Sequence, residues 1–124
     1  MHSRVMCWVA FDRAIRIAQD QSLPALLDEW RATLDTIYNE IMEQGWSEEK
    51  QSFVQHYGSD AVAASALLIS LTRFTAETDP RIVATIKRIQ GELMHEPHVY
   101  RYRVDEVADD GLIGVEGTFS ICSF

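Results

Sequence analysis

Ala61-Val-Ala-Ala-Ser-Ala-Leu-Leu-Ile-Ser-Leu-Thr-Arg-Phe74 is the stretch that decides the fold class. Read as a helix capped by Ser59 or Asp60, it carries Val62, Ala64, Leu67, Leu68, Ile69 and Leu71 around almost its whole circumference. A helix without a polar face has to be enclosed by neighbours. Upstream, Val5 to Gln19 repeats Trp8, Phe11, Ile15 and Ala18 at helical spacing, with Met6, Cys7 and Val9 widening the apolar sector, so this helix too is largely buried at its start. Between them lies an amphipathic helix. It starts at Ser22 or Leu23 with Pro24 in its first turn, continues through Leu26, Leu27, Trp30, Leu34, Ile37, Tyr38 and Ile41, and stops at Gly45.

Downstream, Asp79-Pro80 combines a side-chain cap with proline at the first helical position. Ile82, Val83, Ile86, Ile89 and Leu93 then form the stripe of a further amphipathic helix, with Lys87 and Arg88 facing water. Gly117 opens the apolar beginning of another. Heavily apolar and amphipathic helices therefore alternate, as two layers would require, the inner covered on every side and the outer wet on one face. The connections hold short extended pieces: Phe53, Gln55 and Tyr57 alternate with Val54 and His56, and Val99 to Val104 alternates within a loop that ends at the Asp109-Asp-Gly111 turn. The fold class expected is all-α with a strand-containing loop.

The chain has 124 residues, 47% of them hydrophobic and 24% charged, in the range of one globular domain. Nineteen acidic against eleven basic side chains leave a formal net charge of −8, which repels polyphosphates and anionic lipid and excludes nucleic-acid and membrane-surface partners. Cys7 and Cys122 lack the spacing of a zinc or redox motif and read as buried free thiols. His95-Glu-Pro-His98 is not H-E-x-x-H, and Pro97 breaks the helix such a motif needs, so it reads as a solvated turn; no cofactor is indicated. The apolar run from Val5 to Phe11 is too short to span a bilayer, and a cytoplasmic location is expected.

Six segments, taken together and in order, resemble the catalytic domain of glycoside hydrolase family 15, which includes glucoamylases, glucodextranases and bacterial trehalase-like enzymes. They are Val5-Met-Cys-Trp-Val-Ala-Phe-Asp-Arg-Ala14, Gly45-Trp46, Phe53-Val-Gln-His-Tyr-Gly58, Asp79-Pro-Arg81, Tyr100-Arg-Tyr102, and Gly114-Val-Glu-Gly-Thr-Phe119 followed by Cys122-Ser-Phe124. The resemblance is to the carboxy-terminal part of the family and covers nearly the whole chain. It implies a partial (α/α)6 toroid, with residues 1–124 forming a single partial domain, the carboxy-terminal half of the catalytic domain. It also implies hydrolysis of an α-glucosidic bond with inversion, in which an acid protonates the leaving oxygen and a carboxylate activates water.

Under that resemblance Glu116 matches the general base. A carboxylate beside a helix N-terminus is held in its ionised form by the backbone dipole and free N–H groups, as a base requires, although a first-turn glutamate serves a helix equally well without catalysis. Tyr100, Arg101 and Tyr102 carry over as walls of the sugar pocket, where guanidinium donors and aromatic faces suit a hydroxylated ring; read by composition alone they are as well an edge strand. Arg4 and Trp8, at the mouth of the first inner helix, are further binding candidates. Val62-Ala-Ala-Ser65 departs from the commoner Leu-Asp-Ala-Ser, so Ala63 lacks a carboxylate.

An inverting site needs two carboxylates set roughly 6.5 to 9.5 Å apart, and only the base is offered here. The chain is therefore expected to be a fragment, inactive alone, whose complete enzyme acts on an α-glucoside or a trehalose-like sugar. Self-association or a missing amino-terminal half would cover its inner helices, since large apolar patches are not tolerated in soluble monomers. The rival reading is a non-catalytic helical interaction or oligomerisation module.

Overall fold

A computed structural model describes residues 1–59, 61–95 and 98–101. Within them the chain is all-α apart from two minimal hairpins. Helix α1 runs His2–Asp20 and α2 runs Leu27–Gln44; strands β1, Trp46–Ser47, and β2, Ser52–Phe53, follow; then come a 3-10 turn, Ala64–Leu67, a single α-turn α3, Leu68–Leu71, helix α4, Pro80–Leu93, and strands β3, Met94–His95, and β4, His98–Val99. Trp46 pairs antiparallel with Phe53, and Met94 with Val99. Asp60, Tyr102, Glu116, Cys122, the Asp109–Gly111 turn and the helix expected from Gly117 lie outside the described residues.

Helix α1 packs along α2, while α4 lies against β2 and the 3-10 turn. The shared core joins Val5 and Trp8 of α1, Ile37 and Ile41 of α2, Phe53, Val62, Ile69 and Phe74, and Ile82, Ile89 and Leu93 of α4. Phe74 is its aromatic hinge: Trp8 meets it edge-on with ring centroids 5.0 Å apart, and Tyr38 meets it at 4.9 Å. Such pairs add roughly 0.5–1.5 kcal/mol beyond the area they bury. On α4 the buried stripe is Ile82, Thr85, Ile89 and Leu93, the i, i+3, i+7, i+11 series of one helical face. Thr85 belongs to it although polar, and Val83, expected on it, is exposed.

Three expectations are corrected. Ala61 to Phe74 is not one enclosed helix. Ala63 is extended at φ −125°, ψ 138°; the Ala61 carbonyl accepts from Gln55 N–H, and Ala64 N–H donates to the Arg101 carbonyl. With those backbone groups engaged by distant chain, helical i to i−4 bonds cannot form there. The Ser59 hydroxyl does accept the Ala61 N–H, at 3.0 Å, but as a local turn. Enclosure fails as well at Leu71, which is 71% exposed.

Helix α2 begins at Leu27 rather than Ser22 or Leu23, because the preceding residues close α1. Ser22 takes a left-handed φ of 52°, its N–H returns to the Gln19 carbonyl, and Leu23 N–H returns to that of Ala18. These are the paired bonds of a Schellman cap. Finally, Cys7 is a free thiol, as expected, but exposed. The apolar sector of α1 is wider than the stripe it buries, which is Val5, Trp8, Ile15 and Ala18.

Candidate functional site

The entry to α1, the loop 54–64 and the strand leading to Arg101 converge at one end of the structure. The backbone ties them together. Val54 N–H donates to Gly45 O at 3.0 Å, Gln55 N–H to Ala61 O at 2.8 Å, and Ala64 N–H to Arg101 O at 2.8 Å; Tyr100 N–H donates to Leu93 O at 2.9 Å. The Met1 amino group reaches the Gln55 carbonyl at 2.6 Å. Loop 54–64 is thus the common partner of both candidate arginines, Arg4 through its helix and side chain and Arg101 through its carbonyl.

Arg4 projects from the first turn of α1 and makes a two-pronged ion pair with Glu40 of α2, Nε to Oε1 at 2.9 Å and Nη2 to Oε2. The paired guanidinium holds the Glu40 carboxyl below the usual carboxylate range. The Tyr57 hydroxyl lies beside this pair without a well-aligned bond to either partner, and burial, then Glu40, push its phenol above the ordinary value. Arg4 and Glu40 also border an open groove between α1 and α2 lined by Cys7, Phe11, Thr36 and Ile37.

The structure therefore brings Arg4, Tyr100 and Arg101 to the same end of the fold. It does not bring Trp8 to a surface: the indole is 7% exposed, within the core against Phe74, and its N–H meets no acceptor among the described residues. Glu116 and Tyr102 lie outside the described residues. Glu40, Gln55 and Tyr57 are the residues the sequence reading did not select. Gln55 and Tyr57 sit inside the Phe53–Gly58 segment, but nothing in their spacing says which atoms stay unpaired. Among the described residues no group of three or more His, Cys, Asp or Glu is placed to hold a metal ion, and no helix is long and apolar enough to cross a membrane.

The profile of the family described as glycosyl hydrolases family 15 matches residues 1–124. The chain belongs to glycosyl hydrolase family 15. Its curated relatives include trehalases of Mycobacterium tuberculosis, 48% identical over 122 residues, and of Mycolicibacterium smegmatis, 46% identical over 122 residues; each match covers 98% of this chain and 18% of the relative. A trehalase of Thermoplasma acidophilum is 42% identical over 125 residues, covering 100% of this chain and 21% of that protein. The chain spans about a fifth of the length of these relatives.

Proposed function

We propose that this chain is part of an inverting family 15 glycoside hydrolase that cleaves an α-glucosidic bond, trehalose being the foremost substrate class. The observation that carries the reading is the match to the family along the whole chain, with relatives that are trehalases. In this reading residues 1–124 form one partial domain, a segment of an (α/α)6 toroid whose sugar pocket opens where loops enter the inner helices. The convergence of α1, loop 54–64 and the 98–101 strand at one end supports it, because those are the entries from which such a pocket would be built.

Glu116 then acts as the general base, taking a proton from the attacking water, and Tyr100, Arg101 and Tyr102 line the pocket, with Arg4 at its edge and Trp8 backing it from the core. An inverting displacement also requires an acid on the opposite side of the bond. This chain supplies the base and no acid, so alone it does not turn over. Its cytoplasmic setting is part of the proposal and agrees with the free thiol of Cys7.

A second reading, association with another polypeptide or a second copy, has its own support. Ile17, Leu23, Leu26 and Leu71 are all more than half exposed, apolar side chains that such an association would cover.

The test is an assay on trehalose and maltose with anomer-resolved product detection. The isolated chain is expected to show no hydrolysis. Mixed with a polypeptide carrying the rest of a relative, it is expected to release β- and α-glucose in equal amounts from trehalose, the β anomer being the attacked unit, and Glu116→Gln is expected to abolish that release. Turnover by the chain alone would refute the missing-acid argument, and reconstituted activity indifferent to Glu116→Gln would refute the base.

A further inference from the structure

We propose that the side-chain amide of Gln55 is a ligand-binding group of the candidate site, accepting a hydrogen bond from a hydroxyl of the bound glucosyl unit. The inference rests on the reading under Proposed function and adds a residue to it. Its backbone is held from several directions: Val54 N–H bonds Gly45 O and Gln55 N–H bonds Ala61 O, while one residue earlier Phe53 N–H bonds the Thr85 hydroxyl at 3.0 Å. The loop is therefore set by tertiary bonds.

The Gln55 amide oxygen is nevertheless buried with no hydrogen-bond partner among the described residues; two residues on, the Tyr57 hydroxyl lies against the Arg4–Glu40 pair. Buried acceptors are seldom left unpaired, because desolvation is then uncompensated. Both groups are uncharged at neutral pH, and both belong to the loop bonded to the Arg101 strand and touching Arg4. An amide oxygen and a phenol hydroxyl on one loop suit a neutral polyhydroxylated ligand, which supplies donors and acceptors in equal measure. A chain of net charge −8 disfavours an anionic alternative.

The experiment uses the 124-residue chain labelled with nitrogen-15 and titrated with trehalose and, separately, maltose. The side-chain amide resonances of Gln55, assigned by their loss in Gln55→Met, are expected to shift on sugar addition, and Gln55→Met to weaken binding about five- to tenfold, the loss of one neutral hydrogen bond. Without sugar the same variant is expected to melt about 3 °C higher, because an unpaired buried acceptor has been removed. Gln55→Glu, which keeps the shape and the acceptor, is expected to bind at least as tightly as the parent.

A Gln55→Met chain that melts lower without sugar would show the amide bonded within the fold and overturn the inference. Undiminished binding in Gln55→Met, alongside weakened binding in Arg101→Met, would remove Gln55 while leaving the proposed site standing. Failure of the parent chain to bind either sugar would overturn the inference, whereas the family reaction is decided separately by the reconstituted hydrolysis assay.

Discussion

The N–H of Phe53 donates to the hydroxyl of Thr85 at 3.0 Å across 32 residues of sequence. That hydroxyl donates onward to the Arg81 carbonyl at 2.8 Å. One side chain thus closes both β2 and the first turns of α4, in a setting where Phe53 and Thr85 are each almost wholly buried. Thr85→Val keeps the shape and removes the acceptor, leaving the Phe53 N–H unpaired, and is expected to cost about 2 kcal/mol. Urea unfolding checks it, with Thr85→Ser expected to lose much less.

Gly45 follows α2 at a point where a side chain has no room. A Cβ there would stand 2.6 Å from the Ile41 carbonyl oxygen and 2.7 Å from the Met1 sulfur. The methionine can swing aside, but the carbonyl is tied into the helix. Gly45→Ala is expected to destabilise by about 1–3 kcal/mol, read as a lower melting midpoint with helical content retained by circular dichroism.

Ser22 and Arg73 occupy left-handed φ values of 52° and 59° at equivalent places, each the residue just past the cap of a helix whose last carbonyls are reclaimed by Schellman bonds. At the second, Arg73 N–H returns to Ser70 O and Phe74 N–H to Ile69 O. Glycine relieves the Cβ crowding of that conformation and returns part of the gain as chain entropy. Ser22→Gly and Arg73→Gly are each expected to stabilise by about 0.5 kcal/mol, adding in the double variant because the sites are separate.

Asp79 caps α4, its carboxylate accepting the Arg81 N–H at 2.8 Å and the Thr75 hydroxyl at 3.2 Å. Burial pushes this carboxyl up, but the Arg81 N–H and guanidinium and the Thr75 hydroxyl outweigh it, so it titrates below its ordinary value of 3.8. A folded pKa below the unfolded one stabilises at pH above the unfolded value, and the gain is lost as pH falls through the folded value. Asp79→Ala is expected to cost about 1 kcal/mol at pH 7. The gap to the parent should narrow as pH falls below about 4 in denaturation series.

Much of the helical framework was legible in residue order. Asp79-Pro80 marked the start of α4 because the cap and the fixed proline φ act within four residues, and Gly45 marked the end of α2. Of the candidate site residues, motif resemblance singled out Arg4, Tyr100 and Arg101, and the fold places these three toward one end. Trp8 and the residues of loop 54–64 were not separable in this way. Whether an indole faces the core or a ligand, and which amide finds a partner, depend on atoms far away in sequence.

The sequence by itself determined the all-α class, the approximate extents of α1, α2 and α4, and membership of the family, because periodicity, capping and ordered motifs are local or linear properties. Tertiary structure alone decided that residues 61–64 are extended, that Thr85 belongs to the core, that Cys7 is exposed, and that Arg4 is engaged by Glu40. In each case a backbone or side-chain partner tens of residues away outbids local preference: the Ala64 N–H bonds Arg101 rather than a preceding turn, and a buried polar group goes wherever its hydrogen bond can be completed.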